Sequence, residues 1–264
     1  VVNGLPVISF TGLNTSYCND ALASTLIGTP TGGTFTGAGI SGNNFTPSIA
    51  TAGPHTITYT LTDANGCSNL TTNGTLVYPT FVVGSISGDD TICYNTTPAQ
   101  LTGVDPTGGN IPYTYQWQSS TDNINFSDIT TGGTSLNYSP GALTSTTYYR
   151  LNQTSANACG MLTTNTVTIN VNGNFVSGTI SADQTICVGS PVNAVSVSLP
   201  TGGTGSYTYQ WERKIGTAAW SDISGANSLS YPISNPNSSR QYRVKQSSGT
   251  CGTVTSGVMT LTVN

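Results

Sequence analysis

Polar and apolar positions alternate with a period of two along much of this chain. Tyr113, Tyr115 and Trp117 fall on one face of a run whose other face is Thr114, Gln116 and Gln118. Ile57, Tyr59 and Leu61 alternate with Thr56, Thr58 and Thr60, and Tyr149 and Leu151 alternate with Arg150 and Asn152. No run has a convincing helical period. Clusters of Gly, Pro and Asn bound the alternating runs, giving turn signals roughly every 8–12 residues. The pattern predicts short antiparallel strands packed as β-sandwiches.

The pattern also repeats. "YTYQWQSSTDNINFSDI" (113–129) returns 94 positions later as "YTYQWERKIGTAAWSDI" (207–223). "GSISGDDTIC" matches "GTISADQTIC", "YYR" ending at Arg150 matches "QYR" ending at Arg243, and "NTVTINVN" matches "SGVMTLTVN". YTYQW is predicted to be a core strand, SDI its hairpin partner, and the variable middle an exposed loop. The core candidates are Tyr115, Trp117 and Tyr149, with their equivalents Tyr209, Trp211 and Tyr242. An earlier segment is a relative of another subtype, with "HTITYTLTDANGC" but no Trp. The expected architecture is all-β, three sandwiches in tandem over residues 1–80, 81–173 and 174–264. "VYPTFVVGSIS" aligns with "VNGNFVSGTIS", which puts Phe81 and Phe175 in register at two short junctions. Fixed length and a placed aromatic argue for stiff junctions rather than flexible tethers.

Composition narrows the function. Charged residues are only 6% of the chain, and all six basic residues fall at Arg150 or later. Nucleic-acid binding needs Lys or Arg against phosphates, so it is excluded as a role. An anionic membrane surface is disfavoured for the same reason. No apolar run approaches the ~20 residues of a membrane-spanning helix. The chain opens in strand material with no signal peptide, so it is expected to be a mature or excised piece.

Six cysteines fall as two per segment, and the repeat selects one pairing of the fifteen possible: Cys18–Cys67, Cys93–Cys159 and Cys187–Cys251. Each such bridge would close a loop worth roughly 4 kcal/mol on the chain-entropy model. Zinc is a poor rival, with no CxxC and one His. Disulfides imply an oxidising compartment. The first cysteine of each later segment stands 24 residues before its Trp, ahead of the second strand, and the second lies toward the final hairpin. That departs from antibody-type spacing.

"TIC", "GG…YTYQW", "SDI", "YR" and a late "CG" before a closing V-x-V strand resemble the Ig-like repeats of large secreted surface proteins of Bacteroidota. Many of those are type IX secretion substrates, including gliding-motility adhesins. "GTPTGGTFTGAGISGNNFTP" and "HTITYTLTDANGC" resemble the PKD-like repeats beside them. The resemblance covers nearly the whole chain. It implies an extracellular stalk or adhesive segment at the cell surface, with neighbouring repeats of one long chain as its partners. It also makes Thr91, in Asp90-Thr91-Ile92, a candidate for O-glycosylation.

Chemistry is sparse. An enzyme needs convergent acids, bases or nucleophiles, and the chain offers one His, His55, and one Glu, Glu212. No enzymatic activity, cofactor or metal is expected. Asp63-Ala-Asn65-Gly66 lacks the remainder of a calcium loop, and Asp89, Asp90 and Asp183 are weak cation candidates at a junction. Isopeptide stapling needs a Lys, and none precedes Lys214. The main rival to a stalk is a lectin-like module binding surface glycans or other surface proteins, with Trp220, Tyr113 and Tyr207 as candidate glycan contacts. A fibre subunit is a third reading.

Overall fold

The computed structural model describes residues 3–264 and is built almost wholly of short strands. Three separate hydrophobic cores follow one another along the chain. The first gathers Phe10, Tyr17, Leu26, Phe35, Phe45, Ile57, Tyr59 and Val77. The second gathers Ile86, Leu101, Trp117, Tyr149, Leu151, Val167 and Ile169, and the third Val195, Trp211, Tyr242, Val244, Met259 and Leu261.

Each core is covered by one larger sheet with the same plan. In the second sandwich the order is Asp90–Ile92, Val167–Val171, Thr147–Ser155, Tyr113–Ser120, Ser127–Asp128. In the third it is Gln184–Ile186, Met259–Val263, Arg240–Ser247, Thr208–Lys214, Ser221–Asp222. The first sandwich keeps a four-stranded version: Ser16–Cys18, Ser68–Tyr78, Gly53–Thr62, Thr34–Thr36. In all three the first strand lies parallel to the last and the other pairs are antiparallel. The facing layers are fragmentary, with pairs such as Ile86–Ser87 on Thr102–Gly103 and Val195–Ser196 on Ser230–Tyr231.

The alternation read from the sequence sets which side chains enter these cores. Trp117 and Trp211 are fully buried, and each indole N–H donates to a carbonyl, Ser135 O at 2.9 Å and Ser228 O at 2.8 Å. Tyr149 and Tyr242 are buried in the same layers, while Tyr115 and Tyr209 pack half-buried at the edges. The SDI segment pairs with the YTYQW strand through Gln118 with Asp128 and Glu212 with Asp222.

The cysteine pairing differs from the expected one. Cys18 bonds Cys159 and Cys93 bonds Cys251, with Cα separations of 4.9 and 5.4 Å; Cys67 and Cys187 are free. The reason is the sheet plan. Ile92 is the register partner of Val171, so Cys93 sits where the last strand leaves the sandwich. Cys159 sits in the hairpin before Met161–Thr163, at the other end of that strand. Ten residues of strand at ~3.3 Å each place them ~33 Å apart, far beyond the ~4.4–6.8 Å a disulfide spans. Cys18 and Cys67 are separated in the same way by Ser68–Tyr78, and Cys187 and Cys251 by the run ending at Val263. The exit cysteine of one sandwich instead meets the hairpin cysteine of the next.

Candidate functional site: the junctions between sandwiches

Two junctions are built nearly atom for atom alike. At the first, Val82 exchanges backbone hydrogen bonds with Thr107, both 2.9 Å. At the second, Val176 does so with Thr201, both 3.0 Å. Each Thr belongs to a Pro-Thr-Gly-Gly turn. The second Gly donates its N–H back to the linker, Gly109 to Pro79 O and Gly203 to Gly173 O, both at 2.8 Å. The first Gly cannot be replaced easily. Gly108 and Gly202 sit at φ +68° and +72°, and a Cβ there would run into the linker carbonyls of Thr80 and Asn174.

The aromatics complete the turn. Phe81 is buried 6.0 Å from the Tyr113 ring, and Phe175 is half-buried and stacked 6.0 Å from Tyr207. The Tyr113 hydroxyl donates to Gly108 O at 2.6 Å and that of Tyr207 to Gly202 O at 2.7 Å. Tyr113 and Tyr207, candidates for sugar contact, therefore brace the entry of their own sandwiches.

Buried polar residues that the sequence reading passed over do the rest. The Gly84 amide donates to Gln153 Oε1 at 2.7 Å, and Gln153 Nε2 donates to Val104 O at 2.7 Å. Gln246 repeats this with the Gly178 amide at 2.8 Å and Ser198 O at 3.3 Å. Ser155 and Ser248 accept the amides of Asn110 and Thr204. Their signal was phase: 149, 151, 153 and 155 lie on one face of a strand, as do 242, 244, 246 and 248. A glutamine in phase with core residues must be hydrogen-bonded inside.

The disulfides close the junctions. The strand Ser16–Cys18 is packed against the Asn157–Cys159 turn of the next sandwich. At the second junction Cys93, Tyr94, Gly173, Phe175, Cys251 and Val254 line one small crevice. Every junction thus has two covalent connections, the linker and the bridge.

The sheet face away from the junctions carries a second repeated arrangement. Arg150 lies over the Phe126 ring at 4.0 Å, donates to Gln118 Oε1 at 2.7 Å, and Gln118 donates to Asp128 at 2.7 Å. In the third sandwich Arg243 lies over Trp220 at 4.3 Å, with Lys214 at 5.3 Å. Glu212 takes the glutamine's place and accepts from Arg243 at 2.6 Å and Lys245 at 2.8 Å. Trp220 is thus occupied by the protein's own cations.

Glu212 is the one buried carboxylate among the described residues. Burial pushes its carboxyl up, but the hydrogen bonds and charges of Arg243 and Lys245 outweigh this and hold it below the ordinary carboxylate value. A lowered folded-state value means stabilisation present above the unfolded value of about 4.5 and lost as the pH falls through the folded one. Glu212→Gln, which copies Gln118, is expected to reduce the acid loss of stability of the third sandwich. Urea unfolding at neutral pH and at about pH 3 measures this, and an unchanged acid loss would contradict it.

Of the remaining candidates, the aspartates accept backbone amides. Asp89 and Asp183 each accept a backbone amide of the last strand, Thr168 at 2.6 Å and Thr260 at 2.7 Å. Asp63 accepts the amides of Asn65 and Cys67 in its hairpin. His55 Nε2 lies 2.9 Å from Thr51 O. Thr91 is exposed on its strand opposite Asn170. Among the described residues no three His, Cys, Asp or Glu side chains are grouped to hold a metal, and no helix is long and apolar enough to cross a membrane.

Comparison with known proteins follows the same lines. A family described as "Domain of unknown function (DUF8696)" matches residues 82–173 and again 176–264. No curated protein matches the chain. Among solved structures, domains A168–A170 of titin are 15% identical, cover 97% of this chain and 99% of theirs, and superpose with a TM-score of 0.41. A Ca2+-stabilised adhesin by which an Antarctic bacterium binds ice is 14% identical over 99% of this chain and 74% of its own, with a TM-score of 0.49. Extracellular domains 3–5 of Drosophila OTK are 13% identical over 96% and 95%, with a TM-score of 0.39. At this level of similarity nothing of those proteins' roles carries over.

Proposed function

The chain belongs to the family described as a domain of unknown function, DUF8696, through its two later repeats, and we propose that these repeats are stalk units whose work is to hold a fixed extension. The observation that carries this reading is the junction. Two covalent connections, a paired turn and a Phe–Tyr contact recur at both places where one sandwich passes to the next. A flexible string of binding modules has no use for such a joint. Disulfides of this kind belong in an oxidising, extracellular setting.

The finer assignment rests on the sequence resemblance. We take the units as 1–80, 81–173 and 174–264 of a long repetitive surface protein of Bacteroidota. Type IX secretion would export it, and gliding adhesins would be its relatives. Thr91, exposed on an edge strand, is the position we assign to O-glycosylation. Adhesion to glycans has weaker support. Among the described residues, the three aromatic candidates are engaged by Arg243 and Lys214 or by Phe81 and Phe175.

Small-angle scattering tests the stalk. A compact 264-residue globule has a radius of gyration of about 18 Å. Three sandwiches end to end, at ~40 Å each, make a rod of ~110–130 Å. The expected result is a radius well above the compact value with a long-tailed distance distribution, in oxidised protein. A value near the compact one would overturn the reading, because the sandwiches would then be folded back on one another.

A further inference from the structure

We infer that Cys187 and Cys67 are the two halves of a third inter-repeat bridge, so that this chain can be joined covalently, head to tail, to further repeats of its own kind. This deepens the stalk reading and rests on it. The argument is positional. Cys18, Cys93 and Cys187 each stand at the end of the strand that lies parallel to the last strand of its sandwich. Backbone hydrogen bonds tie the exit to the last strand: Asn172 N donates to Ile92 O at 2.8 Å and Asn264 N to Ile186 O at 3.0 Å, and just past the cysteine Asn19 N donates to Tyr78 O at 2.9 Å as Val188 N does to Asn264 O at 3.1 Å. Two of these three exit cysteines are bonded to the hairpin cysteine of the following sandwich, and Cys187 is exposed.

The hairpin cysteines tell the same story from the other end. Cys67, Cys159 and Cys251 each close the turn before the strand that returns along the sheet. Two of the three are bonded to a preceding exit cysteine, and Cys67 is the remainder.

The neighbouring apolar side chains agree. Three residues after each hairpin cysteine stand Leu70, Leu162 and Val254. Leu70 is 60% exposed, Leu162 is 41% exposed, and Val254 is half-buried, lining the crevice of the second junction. Beside Cys187, Val188 is 64% exposed, while Tyr94, its equivalent beside Cys93, is 40% exposed against that crevice. The unbonded ends therefore bare the apolar positions that the bonded junctions partly cover. The fitting partner for Cys187 is a hairpin cysteine of another repeat, and for Cys67 an exit cysteine. An asymmetric contact of this kind propagates rather than closing on itself.

The chemistry is thiol–disulfide exchange with a low-molecular-weight disulfide as oxidant. The Cys187 thiolate attacks oxidised glutathione and releases one glutathione thiolate. The Cys67 thiolate then attacks the protein sulfur of that mixed disulfide and releases the second. One disulfide is formed, one glutathione disulfide is reduced, and two glutathione thiols result.

Two single variants of the full chain test the proposal, Cys67→Ser and Cys187→Ser, incubated in a glutathione redox buffer separately and mixed. The expected result is a disulfide-linked heterodimer in the mixture, with a peptide joining Cys187 to Cys67, at least tenfold more abundant than linked homodimer in either variant alone. Wild type should give a ladder of multimers that reductant collapses. No linked species in the mixture, or homodimers as abundant as heterodimers, would overturn the inference. Peptide mapping of the two internal bridges in each variant verifies that folding is intact. Scattering from the unlinked monomer decides the stalk reading separately, so the two can fail independently.

Discussion

Cyanogen bromide cleavage of oxidised protein is expected to leave the pieces on either side of Met161 joined until reductant is added. The chain has two methionines, Met161 and Met259. Cleavage separates residues 1–161, with Cys18, Cys67, Cys93 and Cys159, from residues 162–259, with Cys187 and Cys251. The bridge Cys93–Cys251 ties the two fragments together. Pairing within each sandwich would leave no bond between them, and they would part without reduction. The outcome is all or nothing on a non-reducing gel, and the mass of the linked species identifies the cysteines.

Trp117→Ala and Trp211→Ala are each expected to cost their own sandwich roughly 3–5 kcal/mol, the range for emptying a buried Trp site. Both indoles are fully enclosed, and both N–H groups are satisfied by a carbonyl that would be left without its donor. The contrast is Trp220→Ala. That ring is half-exposed under two cations, and such contacts are worth ~0.5–1 kcal/mol at exposed sites. Urea unfolding followed by circular dichroism separates the cases. Equal losses at Trp211 and Trp220 would mean that the aromatic of the variable loop is core after all.

Much of this was legible in the sequence. Strand alternation placed Trp117, Tyr149, Ile57 and Tyr59 inside, because a period of two can bury only one face. The duplicated YTYQW and SDI segments marked a strand and its partner. What the sequence reading mistook was the scale of the cysteine pattern. Two cysteines per segment suggest two ends of one bridge only if both lie at the same end of the sheet. The positions of Cys93 ahead of the second strand and Cys159 near the last hairpin already put them at opposite ends. Phe81 and Phe175 were visible as repeated aromatics, yet their partners Tyr113 and Tyr207 read equally well as exposed rings. Only the fold brings the Gly-Gly turn beneath the tyrosine hydroxyls. Gln153 and Gln246 were missed because polar residues in phase with a core look like exceptions until the backbone groups they satisfy are in place.

The crossed bridges also decide how the second sandwich meets a pulling force. From above it is gripped at its linker and at Cys159; from below it is gripped at Asn172 and Cys93. Two short runs, 81–93 and 159–172, join those grips; the first passes through the facing layer at Ile86–Ser87 before entering the sheet at Asp90–Ile92, and the second ends in the last strand, Val167–Val171. Tension therefore passes down covalent backbone that has little slack to give. Residues 94–158, with the Trp strand and most of the core, hang as a loop outside that path and cannot be unravelled by it. The unit behaves as an inextensible link rather than a spring that lengthens by unfolding, and it becomes such a spring only once its cysteines are reduced.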